Sequence, residues 1–248
     1  MSKIIILVPP YNEYASIADL LRELGTLRQV SQFDFDLLVI DDNSPDKTTE
    51  IVDNLGLAWV SVLHRPKKNG LGEAYRAGFS KVLLNSNYSH VVTMDADGSH
   101  RVDDLLTMLN ATKELNGDKT LVMGTRWMPG GKVVNWPKYR QLLSKFGTKY
   151  AKSAFKVDLA DLTGGFRIYS SDLIRSLDIS EMNATGYCFQ IQMALASERA
   201  GADVIEVPIT FIERNFGRSK MTAGIALEAF MYVTKAGAKR IWRLYIRR

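Results

Sequence analysis

The chain has 248 residues, 46% of them apolar and 24% charged, enough hydrophobic material for one folded domain with a substantial core. That balance excludes a disordered or fibrous chain. The formal net charge is only +5, but basic residues gather towards the last third and the first half is balanced or acidic, which points to an anionic partner on one side: nucleic acid, a membrane surface or a phosphate-bearing substrate.

The first predicted strand is Ile4 to Val8, an apolar run that stops at Pro9-Pro10 and is too short for a signal peptide or a membrane span. Similar runs at Asp36 to Ile40, Ala58 to Leu63, His90 to Met94 and Thr120 to Met123 alternate with helix-like stretches at Ala15 to Val30, Asp46 to Leu55, Leu71 to Leu84 and Asp103 to Asn116. This alternation predicts an α/β fold of βαβ units with a mainly parallel sheet. Past Gly124 the regularity breaks. Pro129-Gly130-Gly131 and Pro137 mark a loop before a helix from Lys138 to Phe155, and Thr163 to Arg167 turns into a strand. Gly186 to Ala200 reads as a helix, and Val204 to Glu213 as a strand whose Pro208 argues for an edge position.

From Thr222 onward the spacing predicts one long helix, with Leu227, Phe230, Met231, Ala238, Ile241 and Tyr245 on one face and Lys235, Lys239, Arg243 and Arg247 on another. Such a helix suits an anionic membrane surface, packing on the sheet, or a separate membrane-anchored subunit. The expected organisation is a catalytic unit over 1–221 and this helix over 222–248. Nowhere do roughly 18 uncharged apolar residues run together as a membrane span requires. The lone Cys188 leaves no internal disulfide and fits a reducing, cytoplasmic setting, peripheral to a membrane.

In open α/β sheets ligands bind beyond the carboxyl ends of the strands, so the residues after each strand carry the chemistry. After the fourth strand, Asp95 and Asp97 in Met94-Asp95-Ala96-Asp97-Gly98 are one residue apart, and in an extended segment both point the same way. Two hard carboxylates so placed suit Mg²⁺ or Mn²⁺ and, through the ion, a substrate diphosphate. An acidic loop that caps the next helix is the plain alternative. After the second strand, Asp41 to Asp46 repeats the pattern: a carboxylate there accepts from base N–H or ribose hydroxyl groups, or simply builds a turn. After the first strand, Tyr11 offers a ring to stack on a base and Glu13 a carboxylate for ribose.

Arg126, Arg140, Arg167, Arg214, Arg218 and Lys220 lie in or beside irregular segments, where guanidinium groups match phosphate oxygens; Glu213 to Lys220 has the composition of a phosphate lid. No nucleophile triad, zinc ligand set, Gly-x-Gly-x-x-Gly after the first strand or Walker loop occurs, which argues against dinucleotide oxidoreductases and P-loop enzymes. A nucleic-acid partner would be repelled by the acidic strand ends.

Taken together, Val8-Pro9-Pro10-Tyr11-Asn12-Glu13, Ile40-Asp41-Asp42-Asn43-Ser44-Pro45-Asp46, Asn69-Gly70-Leu71-Gly72, Met94 to His100, Gly124-Thr125-Arg126, Gly164-Gly165-Phe166-Arg167 and the Arg214 to Lys220 loop resemble the inverting family 2 glycosyltransferases. Within that family the set is similar to the dolichol- or polyprenol-phosphate mannosyltransferases, and it spans nearly the whole chain in order. The resemblance implies a GT-A fold with helices on both faces of the sheet, and transfer of mannose from GDP-mannose to a polyprenyl phosphate with inversion. It implies a nucleotide pocket lined by Pro9, Tyr11, Glu13, Ile40 and Asp42, a diphosphate held through the metal by Asp95, Ala96 and Asp97, and phosphates surrounded by Arg126, Arg140, Ser144, Arg214 and Lys220. Some relatives carry a further metal-ligating Gln two residues after the second Asp; here that place is Ser99, which leaves the third ligand to Ser99 or water. Because the acidic motifs are shared across sugars and bases, a glucosyl transfer from UDP-glucose and a non-catalytic nucleotide-sugar-binding subunit are the competing readings.

Overall fold

The computed structural model describes residues 3–84, 87–182, 184, 186, 188–214, 224 and 230–238. Its first half is a run of βα units: β1 (Lys3–Val8), α1 (Tyr14–Val30), β2 (Phe35–Asp41), α2 (Thr48–Asn54), β3 (Val60–His64), α3 (Leu71–Leu83), β4 (Tyr88–Thr93), α4 (Val102–Ala111) and β5 (Thr120–Thr125). The second half adds β6 (Lys132–Val134), α5 (Lys138–Phe155), β7 (Arg167–Ser170), α6 (Ser171–Ser176), α7 (Cys188–Arg199), β8 (Asp203–Pro208) and β9 (Thr210–Ile212).

Strands pair in the order β3-β2-β1-β4-β7-β5-β8, and among these strands only β7 runs antiparallel, wedged between β4 and β5. β1, β2 and β5 are buried along almost their whole length because helices cover both faces of the sheet, as inner strands of such sheets require, whereas β3 and β8 at the two edges are partly exposed. In β1 the side chains alternate between two cores: Ile5 and Leu7 join Tyr75, Phe79, Ala151 and Phe189 from α3, α5 and α7, whereas Ile4, Ile6 and Val8 join Leu20, Leu24 and Leu105 from α1 and α4. The GT-A arrangement expected from the resemblance is thus the one observed.

Two departures matter for the site. The single strand expected over Val204 to Glu213 breaks after Pro208: β8 stays at the sheet edge beside β5, and β9 pairs with β6 in a separate two-stranded ribbon. Pro208 has no N–H to extend the ladder; Ile209 N–H still donates to the Thr125 carbonyl at 3.1 Å, while its own carbonyl accepts from Lys132 N–H at 3.0 Å. That switch carries the chain across the front of the site.

The C-terminal helix lies partly outside the described residues, including Leu227, Ile241, Tyr245 and the basic positions 239, 243 and 247. Residues 230–238 are helical, and their buried positions are Val233 and Gly237, not the expected face. Phe230 and Met231 stay about half exposed. The segment packs on α5, with Phe230 stacked on Tyr150 at 5.1 Å and Gly237 against Ala154, and its Val233 joins the core on that side.

Candidate active site

The carboxyl ends of β1, β2 and β4 meet in one cleft. Asn12 and Asn43 adopt left-handed backbone (φ 57° and 59°), which turns each loop sharply, and Asn12 N–H donates to Ser44 Oγ at 3.2 Å to tie the two loops together. Asp46 accepts from Tyr14 N–H at 2.9 Å and from Thr48 N–H at 3.1 Å, so it joins the starts of α1 and α2. Asp41 is occupied by Ser44. Of the acidic turn Asp41 to Asp46, therefore, Asp42 is the carboxylate left to face the cleft.

That cleft is lined by Pro9, Tyr11, Glu13, Ile40, Asp42, Asp95, Ala96, Asp97 and Arg214, together with Lys68, Gly70 and Leu71. Pro9, Tyr11, Glu13, Ile40 and Asp42, which the resemblance assigned to the nucleotide pocket, line it together, whereas Arg126, also expected on the donor side, does not. Lys68 Nζ sits 3.8 Å over the Tyr11 ring, a pairing that the sequence reading missed. Asp42 is buried and accepts from Arg65 Nη1 at 2.6 Å; burial pushes its carboxyl up, with Arg65 and the Asn69 N–H opposing. The floor under α3 is equally tight, since a Cβ on Gly72 would lie 2.3 Å from the Ala184 carbonyl oxygen.

Asp95 and Asp97 leave β4 as expected. Gly98 (φ 75°) turns the chain so that Ser99 N–H donates back to Asp97 Oδ1 at 3.1 Å, and α4 begins at Val102 without a side-chain cap, which removes the helix-cap reading of these acids. Arg214 Nη2 lies 2.8 Å from Asp97 Oδ2, and its Nη1 is 3.8 Å from Glu13 Oε1. Burial works against ionisation of Asp97, but Arg214, Ser99 and His100 outweigh it and hold its carboxyl below the ordinary value. His100 is buried, stacks on Phe166 at 4.6 Å and accepts the Asp95 N–H through Nδ1 at 3.0 Å, so it braces the strand end; burial lowers its pKa, with Asp95 and Asp97 opposing.

As a metal site the donor set is two hard carboxylates one residue apart, of which the Asp95 side chain is one-third exposed. Among the described residues no three His, Cys, Asp or Glu side chains gather as a metal cage. The residues fit an ion that completes its shell with diphosphate oxygens and water, as Mg²⁺ commonly does.

A second cavity shares Asp95, Asp97 and Arg214 with the first and is otherwise lined from the Trp136 loop, α5 and residues 230–233. Its polar end carries Arg126, Arg140 and Ser144, the set that the resemblance placed around the phosphates; its walls are largely apolar, including Leu143, Phe146, Ile191 and Phe230. Arg126 donates through Nε and Nη2 to the two Asp161 oxygens (2.6 and 2.9 Å) and to Thr163 Oγ1 (2.8 Å), and its guanidinium lies 5.3 Å from the Trp136 and Phe211 rings. Burial disfavours the Asp161 anion, yet Arg126 and Thr163 hold its carboxyl below the usual range. Arg140 donates to both oxygens of Glu213 and stacks on Trp136 at 4.5 Å. Ser144 Oγ accepts from Trp127 Nε1 at 3.3 Å.

Arg167 is a correction. It is completely buried in β7, where it donates to the Gln190 and Leu162 carbonyls, and it takes no part in the phosphate-facing group. Arg218 and Lys220 lie outside the described residues. Asp161 and the aromatic walls escaped the sequence reading, which named Glu213 only as the start of the lid segment and gave Arg65, in the His64 to Gly70 segment after the third strand, no role of its own. Only Asp161 left a signal there: an Asp shortly before Thr163-Gly164 whose side chain accepts both of their N–H groups.

A mainly parallel sheet with a carboxylate pair at the end of its central strand, bordering both a cleft and an arginine-lined cavity, is the layout of a glycosyltransferase of GT-A type. The chain matches the family described as Glycosyl transferase family 2 over residues 5–178, and it belongs to that family. It is 41% identical over 242 residues to the undecaprenyl-phosphate mannosyltransferase of Micrococcus luteus, covering 97% of this chain and 96% of that one. It is 39% identical over 239 residues to the polyprenol monophosphomannose synthase of Mycolicibacterium smegmatis, covering 95% and 87%. Among solved structures it resembles glucosyl-3-phosphoglycerate synthase from Mycobacterium tuberculosis in complex with Mn²⁺, UDP and glucosyl-3-phosphoglycerate (TM-score 0.70, 17% identity, 95% of this chain and 80% of that one), a likeness of fold. The protein is a family 2 glycosyltransferase.

Proposed function

We propose that the enzyme transfers mannose from GDP-mannose to a polyprenyl phosphate with inversion, releasing GDP and polyprenyl β-mannosyl phosphate. The observation that carries this reading is the shared wall: Asp95 and Asp97 border both the base-and-ribose cleft and the cavity that joins Arg126, Arg140 and Ser144 to apolar walls. An acceptor with an anionic head and a hydrocarbon tail matches that second cavity, and the names of the two relatives agree with it. Donor and acceptor would then meet from opposite sides of the carboxylates, the approach that an in-line, inverting displacement needs.

In this mechanism Asp42, Tyr11 and Glu13 bind the nucleoside, and Arg214, with Lys220, meets the diphosphate. Arg126, Arg140 and Ser144 orient the acceptor phosphate. A phosphate monoester has a second pKa of about 6 and attacks as an anion, so no general base is required. Its oxygen bonds to the anomeric carbon, the bond from that carbon to the diphosphate oxygen breaks, and the electron pair leaves with GDP. Alignment and charge stabilisation supply the rate. A Mg²⁺ or Mn²⁺ ion held by Asp95 and Asp97, with Ser99 or water, would neutralise the departing diphosphate.

The same reading makes the protein peripheral to a membrane, with 1–221 as the catalytic part and 222–248 as the C-terminal unit, whose described residues 230–238 lie against α5. What supports it is α5 itself: Tyr139, Leu142, Leu143 and Phe146 are exposed, next to Phe230 and Met231, and the helix carries Lys138, Arg140, Lys145, Lys149 and Lys152 but no acid. Among the described residues no helix is long and apolar enough to cross a membrane, so a membrane-anchored subunit is a compatible partner.

The test is transfer of radiolabel from GDP-mannose, with UDP-glucose in parallel, into an organic-extractable polyprenyl phosphate, with Mg²⁺ or Mn²⁺ present and then chelated. Metal-dependent label from GDP-mannose is expected. Label from UDP-glucose alone overturns the sugar and the base; label from neither overturns the acceptor.

A further inference from the structure

Arg65 is a part-buried guanidinium that does not line the nucleotide cleft yet touches the Asp42 carboxylate at its base-binding end. Its backbone is fixed by the sheet, because Arg65 N–H donates to the Asp41 carbonyl at 2.8 Å and extends the β2·β3 ladder by one step. Its side chain is 11% exposed and reaches Asp42 Oδ1 at 2.6 Å, while Asp42 is 5% exposed. A carboxylate offers about four lone-pair positions. Arg65 and the Asn69 N–H use two of them, which leaves room for two further donors from the cleft. Guanine presents such a pair, the N1–H and the adjacent 2-amino group, whereas uracil presents a single ring N–H.

We infer that Arg65 is a positioning residue for base recognition: it holds the Asp42 carboxylate in the orientation that accepts two adjacent N–H donors, and so sets the preference for a guanine nucleotide. This rests on the sugar-nucleotide reading above. The groups facing Asp42 are few. Arg65 comes from the segment after β3, Asp41 from its own strand, the Asn69 N–H from the loop before α3, and Lys68 across the cleft above Tyr11. Burial drives Asp42 towards protonation, and Arg65 is the largest influence against it. A protonated Asp42 would direct an O–H at the donors of the base, so loss of Arg65 is expected to weaken binding more as the pH falls.

The experiment is calorimetric titration of GDP and of inosine diphosphate, which lacks the 2-amino group, at pH 8 and pH 6. It compares wild type, Arg65→Met, Arg65→Lys, Asp42→Asn and the Asp42→Asn/Arg65→Met double variant. Arg65→Met is expected to lower GDP affinity about 10- to 100-fold, the range of one hydrogen bond to a charged group. It should bring the GDP and inosine diphosphate affinities together and lose more at pH 6 than at pH 8, and Arg65→Lys should recover part of each effect. In the Asp42→Asn background the same change should matter less than about twofold, because Arg65 acts through Asp42. An unchanged base ratio in a folded Arg65→Met protein overturns the inference, as does an equal loss with and without Asp42. If Arg65→Met fails to fold, Arg65→Gln is read by the same criteria. Wild type that binds UDP and not GDP overturns instead the donor reading on which the inference rests.

Discussion

Replacing Asp161 with asparagine is expected to destabilise the enzyme while leaving its shape intact, and the size of the loss follows from the burial of the pair. Asp161 has no exposed side-chain surface and Arg126 has 6%. The two Asp161 oxygens receive Arg126 Nε and Nη2, Thr163 N–H and Oγ1–H, and Gly164 N–H. Asparagine keeps one acceptor, turns the other towards Arg126 as a donor, and leaves a guanidinium uncompensated among aromatic rings. Breaking a buried ion pair from one side costs about 3–5 kcal/mol. Little solvent screening softens that figure at this exposure. Urea unfolding of both proteins measures it, and pH dependence checks the cause. Asp161 has a folded pKa below its ordinary 3.8, so its contribution is fully present above that value and is lost as pH falls through the lower, folded value. The gap between wild type and Asp161→Asn should therefore stay constant from about pH 8 to pH 5 and close only in stronger acid. A variant within about 1 kcal/mol of wild type at pH 7 would refute the reasoning, since it would mean that Arg126 finds equal compensation elsewhere.

Three further outcomes are expected. Asp95→Ala and Asp97→Ala should each reduce transfer by at least about 10³-fold, the order found when a preorganised charge-stabilising group is removed; near-normal rates at limiting metal would remove the carboxylates from the mechanism. Arg214→Met should tighten Mn²⁺ binding to the nucleotide-free protein by about tenfold, read by electron paramagnetic resonance, because the guanidinium at 2.8 Å competes with the ion for Asp97; weaker binding would exclude competition. Tyr139→Ser combined with Leu142→Ser, both exposed on α5 and outside the cavity lining, should abolish flotation with anionic liposomes but spare turnover of a short-chain, water-soluble acceptor, and undiminished flotation would exclude α5 as the membrane face.

Patterns of local origin were legible in the sequence. The apolar run Ile4 to Val8 reads as a central strand because a strand covered on both faces has no polar side, and β1 is that strand. The helix expected from about Lys138 to Phe155, after the loop that Pro129-Gly130-Gly131 and Pro137 mark, is α5. Strand ends point to ligand chemistry in any open parallel sheet, which marks Pro9, Tyr11, Glu13, Asp42, Asp95 and Asp97, while the resemblance adds Ile40, and all of them share one cleft. What sequence alone left open are the facts that depend on contacts between distant segments. Arg126 and Asp161 are 35 positions apart and Arg140 and Glu213 are 73 apart, and no local pattern marks such pairs. Arg167 looks like Arg126 in composition, yet β7 enters between β4 and β5 and buries it, while Arg126 sits at the cavity wall. Side-chain type and spacing therefore determined the elements, the carboxylate pair and the class of chemistry. Which cations reach the site, and which carboxylate holds each of them, was decided by the tertiary structure, because a buried charge keeps its place only where the fold brings it a partner.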